Sequence, residues 1–458
     1  MDKNNNIVII GGQGGGMTVA SSLERTLNNF NIYVFEEQDY ISFGACGLPY
    51  YIGGFFNNQN QLFARTPNDY SASKNLFIKT NHRVLSVNEN TQSVEVLNLK
   101  TQEISNINYS KLIISTGSKA NTFGFNNIKN VFTLKTLADA LDIKAILSNN
   151  IKSIAIIGAG YIGLELLEAI KHFNKNIKIT VIDAKENISN NIFDSDFEEV
   201  VLNEFKDNNI NLYLNEKIKD ISYNNTANNV QITTNNKIIQ ADIAILAMGF
   251  SPNTKFVENI NFNKIKNGAL IVDNFGKTNI NNIYALGDCA ALKHGITNQY
   301  VNIQLATLAN KLAKIVAKDI VNNLNNKNIP ITPLNTLGSS CIKILNLEFA
   351  KTGITKAEAI QNNISFKEAF VKDYNHTDYY PNQNYIYGKI LFNPDTLQIL
   401  GAQLMGKDGA MLRIHALSVA IQTKITLDDL EILDFAYSPP FTRTFEFLNI
   451  LATVAKKV

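Results

Sequence analysis

Two glycine-rich turns, each set between an apolar strand and a helix, constrain this chain more than any other feature. The first reads Ile7-Val8-Ile9-Ile10, then Gly11-Gly12-Gln13-Gly14-Gly15-Gly16, a helix over 17–27, and Ile32-Tyr33-Val34-Phe35-Glu36. The second reads Ile154-Ala155-Ile156-Ile157, then Gly158-Ala159-Gly160-Tyr161-Ile162-Gly163, a helix to about residue 172, and Ile179-Thr180-Val181-Ile182-Asp183. Glycines permit a tight turn and let a pyrophosphate approach the helix N-terminus, and an acid ending the second strand accepts from a ribose hydroxyl. From first glycine to acid is 25 residues in both copies, Gly11 to Glu36 and Gly158 to Asp183. One such turn is weak evidence, but two in register with their acids define two dinucleotide sites in an α/β chain. Gln13 replaces the usual second glycine of the first copy. Asp183 accepts from a free 2'-hydroxyl and repels a 2'-phosphate, which favours NADH over NADPH.

Each copy closes with an apolar strand ending in glycine, over 111–117 with Thr116-Gly117 and over 244–250 with Gly249. Segments 80–110 and 210–240 alternate between Asn-rich turns and read as β-ribbons. Another short strand, over 282–288, ends in Gly287-Asp288. Its carboxylate either hydrogen-bonds a polyol chain or caps the following segment. From about 325 the nucleotide pattern stops. Strands are expected over 341–349, 365–373, 385–392 and 398–405, with Asn393-Pro394-Asp395-Thr396 as a turn and an amphipathic helix over 409–421. This last part suits subunit contact or completion of a site.

The stretch Ser42-Phe43-Gly44-Ala45-Cys46-Gly47-Leu48-Pro49-Tyr50-Tyr51 supplies the chemistry. A thiol is nucleophilic as thiolate, and a cysteine in a glycine-rich turn entering a helix is expected to have a lowered pKa. Cys46 is therefore the candidate redox thiol; the alternative is a small buried hydrophobe. The other cysteines, Cys289 and Cys341, show no metal-ligand spacing, so no metal site is expected. At 458 residues the chain is too long for one core and suggests about three domains. A formal charge of +2 gives no electrostatic case for nucleic acid or a membrane surface as partner. No apolar run approaches the ~20 residues of a membrane span, and the run Ile7 to Ile10 is too short for a secretory segment. The expectation is a cytoplasmic protein.

The Gly11 motif with Glu36, Cys46-Gly47-Leu48-Pro49-Tyr50-Tyr51, Ser115-Thr116-Gly117, Gly158 to Gly163, and Tyr284-Ala285-Leu286-Gly287-Asp288 together resemble the flavoprotein pyridine nucleotide-disulfide oxidoreductases along essentially the whole chain. The resemblance implies two Rossmann-like domains, for FAD and NADH, and a C-terminal α+β dimerisation domain. It places the FAD domain at 1–116 and 250–322, the NAD(P)H domain at 117–249, and the dimerisation domain at 323–458. It implies that Gly11, Gly12, Gly16, Glu36 and Asp288 hold FAD, and that Gly158, Gly160, Gly163 and Asp183 hold NADH. It also implies that Ser42, Thr116, Gly117 and Gly249 are further cofactor contacts and that Tyr161 shields the flavin until the nicotinamide arrives.

Dithiol members carry a second cysteine five residues after the first, where this chain has Tyr51. The resemblance is thus to the single-cysteine branch of CoA-disulfide reductases, NADH oxidases and NADH peroxidases, in which the thiol stores oxidation as a sulfenic acid or a mixed disulfide. Peroxidases and many water-forming oxidases of that branch carry a histidine in the first glycine turn; here Gly14 stands there, and none of the five histidines falls in the turn. CoA-disulfide reductases carry two tyrosines from the partner subunit near the thiol, matched by Tyr380 in His376-Thr377-Asp378-Tyr379-Tyr380-Pro381 and Tyr437 in Phe435-Ala436-Tyr437-Ser438-Pro439-Pro440. Ala45 stands where some reductases carry Asn, and Arg65 and Lys74 are basic candidates for CoA phosphates. The expected activity is NADH-dependent, FAD-mediated reduction of a small disulfide such as CoA disulfide or a polysulfide, in a homodimer. The alternatives are an NADH oxidase reducing dioxygen through a Cys46 sulfenate and a non-catalytic NADH-binding flavoprotein.

Overall fold

The computed structural model describes residues 5–188 and 192–458. Ile7, Val8 and Ile9 are fully buried because the strand Asn6–Ile10 is covered on both faces, as in parallel sheets flanked by helices. It lies at the centre of a five-stranded parallel sheet ordered Ile283–Ala285, Lys111–Ile114, Asn6–Ile10, Asn31–Glu36, Leu76–Thr80. The strand at 283–285 returns to this sheet after some 170 intervening residues, between Ile114 and Ile283. The helices Gly14–Glu24 and Ala306–Asn325 complete this core with Val19, Leu23, Leu312 and Val316. A second parallel sheet repeats the design in the order Ile210–Tyr213, Lys178–Ile182, Ser153–Ile157, Ile243–Leu246, Val131–Thr133. A two-stranded antiparallel link, Ser118–Ala120 with Phe250–Pro252, joins the two units where Thr116-Gly117 and Gly249 turn the chain.

Both expected ribbons form, over His82–Asn108 and Ile218–Ala241, but Ile210–Tyr213 pairs in parallel with Lys178–Ile182 and belongs to the second sheet. The first helix starts at Gly14, three residues before the expected 17, because Gly14, Gly15 and Gly16 already adopt its conformation. The C-terminal sheet is antiparallel throughout, ordered Ser340–Ile344, Leu347–Gly353, Ile399–Gly406, Tyr385–Phe392, Lys367–Tyr374. The single strand expected over 341–349 is two, with Leu345 in the left-handed region at φ 56° to make the tight connection. The last expected helix is Ala410–Gln422, with Gly409 just outside it at φ 78°.

One buried cation ties this sheet to the nucleotide-binding units. Lys389 is 1% exposed and lies 3.3 Å from Asp194 and 3.1 Å from Glu368, and also pairs with Asp196. Removing Lys389 leaves Asp194 and Asp196 without their cation in a poorly solvated place, while Glu368 keeps Lys356. Lys389→Ala is expected to lower stability by about 3–5 kcal/mol in urea unfolding; a loss below about 1 kcal/mol would show that water already reaches the cluster.

Candidate active site

The two glycine turns are held by the same hydrogen bonds. Gly11 N–H donates to the Phe35 carbonyl and Gly158 N–H to the Ile182 carbonyl, both at 2.8 Å. One residue on, Gly12 N–H donates to Glu36 Oε2 and Ala159 N–H to Asp183 Oδ2, both at 2.7 Å. The second carboxylate oxygens accept from Gln38 N–H and Lys185 N–H, both at 2.9 Å. Burial raises the pKa of the Glu36 carboxyl against these amide bonds, which lower it. A Cβ on Gly16 would sit 1.9 Å from the Gly11 carbonyl oxygen, and one on Gly163 2.0 Å from that of Gly158, so only glycine allows each helix so close to its strand. At Gly160 a Cβ would meet nothing within 4 Å. The turn is closed towards the protein and open towards the cleft, which fits a dinucleotide pyrophosphate in each copy.

Both turns open on one continuous cleft of about 2230 Å³. Cys46 lines it from the single 3-10 turn Ala45–Gly47, placed by a chain of contacts back to the first glycine turn. Phe43 N–H donates to Gln13 Oε1 at 3.0 Å, and Ser42 N–H, in a residue at φ 51°, donates to the Gly12 carbonyl at 3.0 Å. Gln13, the departure from the glycine pattern, thus carries the Cys46 segment. The expected acidification of the thiol is not what the fold provides. Cys46 is exposed to the cleft, but partial desolvation of its thiol pushes the pKa up, Glu165 and Asp288 push it further, and Lys135 with the local backbone amide opposes them. The helix that follows, Leu48–Ile52, is only five residues long and offers little dipole. Tyr51 is buried, with Lys144 Nζ 3.8 Å from its ring centroid.

Asp288 caps no helix with its side chain; its Oδ2 accepts from Ser118 Oγ at 2.7 Å and from Lys135 Nζ at 3.2 Å. Thr116 Oγ1 donates to the Asn253 carbonyl at 2.6 Å, and Gly117 and Gly249 also line the cleft. Tyr161 shares a 2.7 Å hydrogen bond with Ser340 Oγ, and burial lifts its phenol to about 12. Lys135, Glu165 and Cys341 line the cleft without having been singled out in the sequence. Only Glu165 had a local signal, one helical turn after Tyr161 and pointing the same way. Arg65 and Lys74 are exposed and outside the cleft lining.

The two tyrosines singled out from the C-terminal part are not the two brought together. Tyr437 shares a 3.1 Å hydrogen bond with Tyr379, which is 71% exposed, whereas Tyr380 packs edge-on against the buried His376. Thr377 Oγ1 donates to the Pro439 carbonyl at 3.1 Å and joins the two loops. None of the three tyrosines lines the chain's own cleft. Their neighbours Phe441, Phe445 and Ile432 are exposed too.

Two dinucleotide cradles opening on one cleft with a thiol in its wall define a flavin- and pyridine-nucleotide-dependent oxidoreductase. The chain belongs to the pyridine nucleotide-disulphide oxidoreductase family, whose model matches residues 5–313, with the family's dimerisation domain over 339–447. It is 33% identical over 453 residues to a coenzyme A disulfide reductase of Staphylococcus aureus (strain COL), covering 98% of this chain and 99% of that one. It superposes with a TM-score of 0.91 on the water-forming NADH oxidase of Lactobacillus brevis bound to NADH, at 30% identity and 99% and 98% coverage. The TM-score is also 0.91 with an NAD-dependent persulfide reductase of A. fulgidus, at 26% identity and 99% and 83% coverage. No helix among the described residues is long and apolar enough to cross a membrane.

In flavin-free protein, alkylation of Cys46 by iodoacetamide is expected to reach half its limiting rate at a pH above that of free cysteine, about 8.5. Lys135→Met should move that midpoint higher, because it removes the cation that favours the thiolate. A midpoint below about 8 would contradict the account of the cleft's charges.

Proposed function

We propose that this protein passes electrons from NADH through FAD and Cys46 to a small disulfide, CoA disulfide being the favoured acceptor. The observation that carries the reading is the placement of Cys46 on the cleft that both glycine turns share, with the buried Tyr51 where a dithiol enzyme holds its second sulfur. The domains are taken as 1–116 with 250–322 for FAD, 117–249 for NADH and 323–458 for dimerisation. FAD, when bound, supplies two-electron transfer between hydride and sulfur. Gly11, Gly12, Gly16, Glu36, Ser42, Thr116, Gly117 and Asp288 hold FAD in this reading. Gly158, Gly160, Gly163, Asp183 and Gly249 hold NADH, and Asp183 selects it over NADPH. Tyr161 screens the hydride side of the cleft until the nicotinamide displaces it.

Cys46 then forms a mixed disulfide with the substrate: its sulfur attacks one substrate sulfur and the other leaves as a thiolate that takes up a proton. Two electrons derived from NADH cleave the mixed disulfide and release the second thiol. The exposed Tyr379–Tyr437 pair, in the family's dimerisation domain and outside its own chain's cleft, acts on the partner subunit's Cys46. The hydrogen bond that Tyr437 shares with Tyr379 is the first cause raising the Tyr437 pKa, which suits a proton donor rather than a phenolate. This assigns to Tyr379 the role that the sequence reading gave to Tyr380. The likeness to the coenzyme A disulfide reductase over nearly the full length of both chains supports this acceptor, as does Gly14 in place of a histidine.

Under strict anaerobiosis, NADH and CoA disulfide are expected to yield two thiols per NADH, and Cys46→Ser to abolish this while retaining bound flavin. Turnover only when air is admitted would make the protein an NADH oxidase instead. Tyr437→Phe and Tyr379→Phe are each expected to lower kcat on the order of 10²-fold, with Tyr380→Phe near wild type. Equal losses for Tyr379→Phe and Tyr380→Phe would dismiss the pair seen in the fold.

A further inference from the structure

We infer that Ser340, at the start of the C-terminal sheet, is a positioning residue: its hydrogen bond latches Tyr161 across the nicotinamide path and has to break before nicotinamide enters. The inference rests on the reading that Tyr161 screens the hydride side of the cleft. It adds what holds the screen in place, and that the holder belongs to the family's dimerisation domain.

Tyr161 is the first residue of the helix Tyr161–Phe173 and follows Gly160 directly. Gly160 is open on the side where a Cβ would stand, which is where a dinucleotide pyrophosphate fits. The Tyr161 ring therefore stands beside the path that the rest of the dinucleotide takes. Its hydroxyl is not left to water in the cleft. It shares a 2.7 Å hydrogen bond with Ser340 Oγ, and both residues line the cleft. The phenol, lifted to about 12 chiefly by burial, is neutral at pH 7, so the latch is a bond between two uncharged hydroxyls. Such a bond favours one ring position by a modest factor and yields to a ligand that fills the same space.

Of the two partners, Ser340 is the fixed one. It lies opposite Lys351 in the antiparallel pairing of Ser340–Ile344 with Leu347–Gly353. The residues before it are tied down as well. Ser339 Oγ shares hydrogen bonds with the buried Thr352 Oγ1 at 2.8 Å and with Ser418 Oγ at 3.3 Å, and the Leu337 carbonyl accepts from Gly353 N–H at 2.9 Å. The same strand is packed along the helix that Tyr161 begins: Ile342 and Ile344 share a core with Leu164 and Leu167, and Lys343 Nζ lies 3.0 Å from Glu168 Oε1. Helix and strand therefore stay together while the Tyr161 ring turns about its own side-chain bonds. Nicotinamide binds only the turned-out form, so a bond that favours the other form lowers its apparent affinity. Removing the latch is thus expected to tighten binding, the reverse of what loss of a packing contact does.

The test is calorimetric titration of the oxidised holoenzyme with NAD⁺ and, separately, with ADP-ribose, which fills the second glycine turn but carries no nicotinamide. Ser340→Ala and Tyr161→Phe are each expected to tighten NAD⁺ binding by about threefold to tenfold, the worth of one neutral hydrogen bond, and to leave ADP-ribose binding unchanged. The double variant is expected to match either single one, because both remove the same bond. Ser340→Thr keeps the hydroxyl and is expected to bind NAD⁺ as wild type does. Weaker or unchanged NAD⁺ binding in Ser340→Ala, or tightening that extends to ADP-ribose, would overturn the latch. Tyr161→Ala separates that failure from failure of the parent reading. Tighter NAD⁺ binding in Tyr161→Ala with none in Ser340→Ala keeps the screen and dismisses the latch, whereas NAD⁺ binding unchanged in both dismisses the screen itself.

Discussion

The hydrogen bond from a glycine-turn amide to the acid at the end of the next strand is the constraint on which this molecule depends. Gly12 N–H to Glu36 and Ala159 N–H to Asp183 have the same length, and each lies one residue beyond a backbone bond that is also duplicated. Each pins a turn whose last glycine, Gly16 or Gly163, cannot be replaced without driving a Cβ into the carbonyl that opens the turn. Once pinned, a turn presents backbone amides and an open edge to whatever lies at the carboxyl ends of the strands. Two such units joined by the antiparallel link Ser118–Ala120 with Phe250–Pro252 face a single cleft, and Cys46 is suspended from the first of them through Gln13 and Ser42.

The chemistry of the thiol comes from that placement more than from local helix electrostatics. Burial and the Glu165 and Asp288 carboxylates disfavour the thiolate, and Lys135 is the cation set against them. Lys135 also donates to Asp288, so the same lysine offsets one of the two opposing carboxylates. Burial and the surrounding charges, rather than the short helix Leu48–Ile52, set the direction of the thiol's pKa.

What could be read in the sequence was what is local in it. The spacing of glycine and acid, the buried parallel strands and the Cys46 turn each lie within about 30 residues, and their positions carry over into the fold with small shifts at the ends. Features made by distant segments meeting were not legible. Lys135 meets Asp288 across 153 residues, and Ser340 meets Tyr161 across 179. Tyr379 and Tyr380 are adjacent in a loop with no periodicity to tell them apart, and only the Tyr437 contact does so. Leu345 at positive φ broke an expected strand in two, because an apolar residue in the left-handed region gives no turn signal. The expected acidification of the thiol fails for the same reason: the motif shows the glycines beside Cys46 but neither the burial nor the carboxylates that the distant segments bring to it.

Intact-protein mass spectrometry with peptide mapping tests the central claim most directly, on protein treated with CoA disulfide and then with one equivalent of NADH without oxygen. One CoA adduct per chain, on Cys46 alone, released as free CoA by the single equivalent of NADH, is the predicted result. An adduct carried by Cys341, or one on Cys46 that NADH leaves in place, would contradict a path from NADH through flavin and Cys46 to a disulfide.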